Sequence, residues 1–217
     1  MGFNVRKARY AQTVIAKKVS EEDELPRELR YACGVDVAYA SDLAVAVATA
    51  VNYDNLNIVS KAAVTLKVSV PYIPTLLAFR EAGPMIAAVR SLNVKPDVVL
   101  VDGNGRLHPL GAGIACQVGL ALCTTTIGVA KKLLYGEVGE WTENQAPVLI
   151  AGRVVGMAIR LDAKPIYVSV GHKISLPTAV KIVRELTPKG RGIPEPLRIS
   201  HLEASRIARR LKNELFL

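Results

Sequence analysis

From Pro96 to Gly113 the chain reads P-D-V-V-L-V-D-G-N-G-R-L-H-P-L-G-A-G, and no other stretch narrows the choice of fold as far. Val98 to Val101 form an all-apolar run of mostly β-branched residues, too brief for a helix and suited to a strand buried on both faces. The run stops at a carboxylate, Asp102. Gly103-Asn104-Gly105 follows, a turn that lets backbone or a phosphate come close, and His108 arrives a few residues later.

Next to this stretch, Leu110 to Ala130 carries no charged residue and is nearly long enough to span a bilayer. Gly111, Gly113, Gly119, Thr124-Thr125-Thr126 and Gly128 divide it instead into a buried helix over Pro109 to Leu122, a turn and a strand over Thr126 to Val129. No membrane attachment is expected; Met1-Gly2 lacks the Ser or Thr that a myristoylation signal needs. The 217 residues, half of them hydrophobic, suit one domain over 1 to 217. A net charge of +9 draws a polyanion to the surface, with nucleic acid ahead of a merely solvated basic surface. Cys33, Cys116 and Cys123 form no C-x-x-C pair and follow no secretory leader, which points to a reducing, cytoplasmic setting. Cys116 and Cys123 read as small buried hydrophobes.

Residues 4 to 19 put Val5, Ala8, Gln12, Ile15, Ala16 and Val19 at helical steps, with Arg6, Lys7, Arg9, Lys17 and Lys18 on a basic face. An acidic connection, Ser20 to Pro26, leads to three strands at about 31 to 40, 43 to 53 and 56 to 68, whose short turns make them antiparallel neighbours. In the first, Val35, Val37 and Tyr39 face one side and Gly34, Asp36, Ala38 and Ala40 the other. A lone Asp there is costly unless paired: it either holds an ion beside its small neighbours or accepts hydrogen bonds from a buried turn.

Val70 to Pro74, V-P-Y-I-P, is a loop stiffened by Pro71 and Pro74 around Tyr72 and Ile73. It suits a wedge pushed between bases, or an ordinary connector whose Tyr packs on the core. Thr75 is placed to cap the next helix, which Gly83-Pro84 should kink or split, and Glu81 is either a surface charge or a third carboxylate aimed at the site. Lys131, just past a buried strand, contacts a phosphate or solubilises the loop. Strands near 147 to 160 and 165 to 170 follow. His172, between Gly171 and Lys173 at a strand-to-helix junction, has the setting of an exposed, reactive histidine. Ser175 caps a helix to Leu186, and Leu197 to Leu215 forms a basic helix.

The order β-β-β-α-β-α-β predicts an α/β fold, a mixed sheet of three antiparallel strands followed by parallel strands with helices on both faces, and this arrangement resembles the ribonuclease H-like fold. With the first strand central and the fourth parallel to it, Asp36 and Asp102 share a cation, and such hard oxygen ligands suit Mg²⁺ or Mn²⁺. Glu81 and His172 would complete a second metal position or orient the attacking water.

Five stretches then resemble the endonuclease V family: G-V-D-V-A-Y at 34 to 39, P-Y-I-P-T-L-L-A-F-R-E at 71 to 81, V-D-G-N-G-R-L-H-P at 101 to 109, I-G-V-A-K-K-L-L at 127 to 134, and V-G-H-K-I-S at 170 to 175. The likeness runs from about residue 31 to 186. It implies a metal and catalytic set of Asp36, Glu81, Asp102 and His172, and a wedge of Pro71, Tyr72, Ile73 and Pro74. It also implies His108 and Lys131 beside the scissile strand, and Leu77, Gly103, Gly113 and Leu134 around the flipped base. The activity implied is repair of inosine-containing DNA by a monomer that cuts the second phosphodiester 3′ to the lesion with Mg²⁺ or Mn²⁺. Inosine-containing RNA and branched or mismatched DNA are alternative substrates, and a non-catalytic nucleic-acid-binding module is a weaker alternative. Thr75 stands where the family usually has Gly, Leu110-Gly111 where many members have arginine, and Gln117 where the family has a histidine.

Overall fold

Alternation along the first strand sets the architecture. In the computed structural model, which describes residues 2–214, β1 (Tyr31–Ala40) is a central strand, antiparallel to β2 (Leu43–Asn52), which pairs in turn with β3 (Ile58–Lys67). Two parallel strands follow on the other side of β1: β4 (Val98–Asp102) and β5 (Thr125–Ala130). One sheet of nine strands results, in the order β3-β2-β1-β4-β5-β9-β8-β7-β6.

The parallel run ends at β5. The last four strands, β6 (Glu137–Val138), β7 (Gln145–Ile150), β8 (Arg153–Arg160) and β9 (Pro165–His172), are all antiparallel to their neighbours. The single strand expected near 147 to 160 is thus a hairpin. Ala151 and Gly152 turn it with φ of 49° and 75°, the double left-handed pair that a tight two-residue turn requires.

Helices cover both faces. On one, α2 (Ala78–Arg90) and α3 (Ile114–Leu122) bury Ala82, Met85, Ala88, Ala115 and Val118 against Cys33, Val35, Val99 and Val101. On the other, α4 (Leu176–Glu185) and α5 (Glu195–Glu214) cover Leu100, Ile127, Val45 and Val47. Side chains such as Leu100 and Ile127, fully buried, each contribute about 1.5–3 kcal/mol relative to exposure, so the strand ends that carry the site are held by the deepest part of the core. α1 (Val5–Lys18) starts where Asn4 Oδ1 accepts the Lys7 N–H at 3.0 Å. Among the described residues no helix is long and apolar enough to cross a membrane.

Several local expectations change. Gly83-Pro84 neither splits nor ends α2; Pro84 is buried inside one continuous helix. Thr75 does not cap it, because Thr75 has φ +69° and the helix begins at Ala78. α3 begins at Ile114 rather than Pro109, since the intervening amides are already bonded: Leu110 N–H to His108 Nδ1, Gly111 N–H to the His108 carbonyl and Gly113 N–H to the Gly105 carbonyl. Cys116 is buried as expected, whereas Cys123 is exposed at the left-handed C-cap of α3. The basic C-terminal helix starts at Glu195, and its expected last residue, Leu215, lies outside the described residues.

Candidate active site

β1 and β4 run in parallel with Val35 opposite Val101, so Asp36 and Asp102, one residue further on, come side by side. Asp36 is buried on the face that α5 covers. Its Oδ1 accepts the Val37 N–H at 2.7 Å, and its Oδ2 lies 2.6 Å from Nδ1 of His201 on α5. Three donor atoms, one each from Asp36, Asp102 and His201, lie within 4.8 Å of one another. Burial and the neighbouring Asp102 charge push the Asp36 carboxyl up, opposed by the bond to His201. Two carboxylates that crowd negative charge in this way, with an imidazole nitrogen beside them, form a donor set that fits a divalent cation.

The helix register places Glu81 on the inner side of α2, buried, with Oε1 taking the Tyr39 hydroxyl at 3.0 Å. Burial, and the charges of Asp36 and Asp102, push its carboxyl up to about 7. Lys131, at the end of β5, puts Nζ 3.0 Å from Asp102 Oδ2 and 3.5 Å from His201 Nδ1. Glu81 therefore joins the electrostatics of the site, and Lys131 places a positive charge beside Asp102.

Beside this cluster lies a cavity of about 110 Å³, bordered by Tyr72, Ile73, Pro74, Leu77, Gly103 and Leu134, with His108 and Gly113 deeper in the wall. The loop that forms its rim is fixed from behind. Arg80 donates to the Val70 carbonyl, and the Thr75 carbonyl receives Gln12 Nε2 at 2.7 Å and His108 Nε2 at 2.8 Å. His108 Nδ1 accepts the Leu110 N–H, so its proton sits on Nε2, and burial lowers its pKa and keeps the ring neutral. Tyr72, by contrast, is 70% exposed at the tip of this anchored loop.

The sequence model of the Endonuclease V family matches residues 13–202. An endonuclease V of Thermofilum pendens is 53% identical over 209 residues, which cover 95% of this chain and 90% of that protein. The chain belongs to the endonuclease V family. An endonuclease V structure from Streptomyces avermitilis superposes with a TM-score of 0.89 at 33% identity, covering 96% of this chain and 94% of that one. A Ciona intestinalis endonuclease V, in complex with a 24mer DNA containing an inosine followed by a ribo-adenosine, superposes with a TM-score of 0.86 at 28% identity, covering 95% and 98%. As a member of this family the protein is a nuclease, a hydrolase acting on DNA.

In this endonuclease V, Asp36, Asp102 and Glu81 come together, while His172 does not join them. His172 pairs with Thr126 near the start of β5, three residues back from Val129, the partner of Asp102, which is about 10 Å along the strand. Its Nδ1 accepts the Ser20 N–H at 3.1 Å, and burial and the adjacent Lys173 lower its pKa. The histidine that meets the carboxylates is His201, which lies beyond the stretch in which the sequence motifs were read. It is one of the chain's three histidines, and the sequence motifs singled out only the other two, His108 and His172. Pro71 is outside the cavity lining and serves the rim through loop stiffness. His108 braces the rim from inside. The departures at 75 and 117 have a place as well. Thr75 adopts the left-handed φ that favours the family's Gly, and Gln117 on α3 buries an Oε1 with no hydrogen-bond partner among the described residues.

Proposed function

We propose that this endonuclease V is a deoxyinosine 3′ endonuclease. It takes inosine out of the strand into the 110 Å³ cavity, hydrolyses the second phosphodiester on the 3′ side, and thereby starts repair of deaminated adenine in DNA. One observation carries the reading: the Asp36, Asp102 and His201 donors lie within 4.8 Å of one another beside a base-sized cavity with an exposed aromatic at its rim. The Ciona complex with inosine-containing DNA supports it by likeness.

Asp36, Asp102 and His201 would hold a Mg²⁺ ion, with Mn²⁺ able to substitute. Such an ion neutralises charge on the phosphate and makes water a better nucleophile. Glu81, with Oε1 tied to Tyr39 and a carboxyl pushed up to about 7, orients a water and takes its proton on Oε2 near neutral pH. The Lys131 ammonium is a point charge for the scissile phosphate. Tyr72 fills the gap left by the extruded base, and Gly103, Gly113, Leu77 and Leu134 enclose that base. Hypoxanthine presents a carbonyl oxygen and a ring N–H where adenine has an amino donor and a ring acceptor, which gives the cavity wall a basis for discrimination. The enzyme acts as a cytoplasmic monomer.

The test is cleavage of end-labelled strands that hold one inosine, as DNA and as RNA, with Mg²⁺, Mn²⁺ or chelator. A metal-dependent nick at the second phosphodiester 3′ to inosine is expected. Removal of the base, or cutting blind to inosine, would overturn the reading. The Ciona complex carries a ribose next to inosine, so the ratio of DNA to RNA rates measures whether a 2′-hydroxyl there helps.

A further inference from the structure

Past the base cavity lies a wider groove of about 610 Å³, between the segment that follows β5 and the turn joining β7 to β8. Leu134 borders both. Tyr135 and Gly136 continue one wall of the groove, and Leu149, Ile150 and Gly152 form the other. Gly136 holds φ +97°, and a Cβ there would come within 2.7 Å of the Leu149 carbonyl oxygen, so the two walls meet closely at the base of the groove. Two adjacent large apolar side chains, Leu134 at 42% and Tyr135 at 47% exposure, stand open at its mouth.

Resting on the inosine-nuclease reading, we infer that this groove is a second nucleobase site: it takes the base that neighbours the flipped one on the 5′ side, with the Tyr135 ring as its stacking platform. The direction comes from what lines the groove: the 3′ side of the strand is committed to Asp36 and Asp102, and neither of them borders the groove, which shares only Leu134 with the cavity. Asp36 and Asp102 lie on β1 and β4, and Gly103 and Asn104, which continue β4, form one wall of the cavity; Leu134, shared with the groove, forms another. A strand whose 3′ side runs to the carboxylates leaves the cavity past Leu134 on its 5′ side. Charge selects a base over a phosphate, because Glu137 lines the groove and repels a phosphate, while Lys132 is exposed just before it to receive the backbone. A flat apolar ring facing a neutral base adds sequence-tolerant affinity, which suits an enzyme that meets its lesion in any context.

The experiment uses the full chain carrying Asp102→Asn, so that binding is read without cleavage, and single strands with one inosine and 2-aminopurine immediately 5′ to it. With Tyr135 present, binding should quench the 2-aminopurine. Tyr135→Ala should leave it bright and raise the dissociation constant about tenfold, and Tyr135→Phe should match Tyr135. A strand lacking that 5′ base should bind the Tyr135→Ala protein as well as it binds the parent. Equal quenching and equal affinity for Tyr135 and Tyr135→Ala would overturn the second site. If the Asp102→Asn protein showed no preference for inosine over adenine strands, the underlying reading would fail, and the second site with it.

Discussion

Glu81 shows at the scale of one residue what the site costs the fold. Its carboxyl is held near 7 in the folded protein, above the ordinary value of 4.5. The stability it confers when protonated is fully present below about 4.5 and is lost as pH rises through 7. Beyond that, the chelated protein carries a buried carboxylate at a cost on the order of 3 kcal/mol. Glu81→Gln should therefore be more stable than the parent at pH 8 in chelator, with the gap closing near pH 5, as read by urea unfolding; a gap that widened toward acid would contradict the assignment. Residues like Asp36 and Asp102 were legible because each is an isolated carboxylate on an apolar strand, where burial makes an unpaired charge expensive. His172 misled for a physical reason. Gly171 beside it suggested exposure, but a Cβ there would come within 2.3 Å of Thr126 Oγ1, so the glycine serves packing and His172 is buried.

Among the elements, α5 matters most to the site, since its docking sets the His201–Asp36 contact. Gly34 on β1 has no room for a side chain: a Cβ would lie 2.3 Å from the Leu197 nitrogen, and the Ser200 hydroxyl donates to the Gly34 carbonyl at 2.9 Å. Gly34→Ala should push α5 outward, lowering stability by about 1–3 kcal/mol and nicking activity more than tenfold, measured on protein still folded by circular dichroism. Gly83→Ala, with nothing within 4 Å, is the control and should gain about 0.5–1 kcal/mol. For the rim loop, Tyr72→Ala should erode the preference for inosine over adenine, and an unchanged ratio of cleavage rates would remove the wedge. Strands and helices were readable from period and turn chemistry, including the Ser175 cap of α4. The starts of α2 and α3 were not, because the Leu110 amide before α3 is bonded to His108 and Thr75 before α2 is left-handed, with its carbonyl taken by Gln12 and His108; all of these depend on tertiary contacts.

On the scale of the whole molecule, the site joins the two ends of the sequence. His201 and Asp36 are 165 residues apart and meet only when the sheet has formed and α5 has packed across it. No local pattern records such a contact, which is why the carboxylates could be read from sequence and their histidine could not. α1 reaches the same region from the other end, through Gln12 behind the rim loop and through Arg106 bonded to the Ala16 carbonyl at 3.0 Å. The most direct measurement compares metal-dependent nicking of an inosine-containing strand by the wild type, His201→Ala and His172→Ala. The predicted result is loss of nicking by at least two orders of magnitude for His201→Ala, with inosine binding kept, and near wild-type nicking for His172→Ala wherever it remains folded. Loss of nicking in folded His172→Ala with activity retained in His201→Ala would contradict the metal centre described.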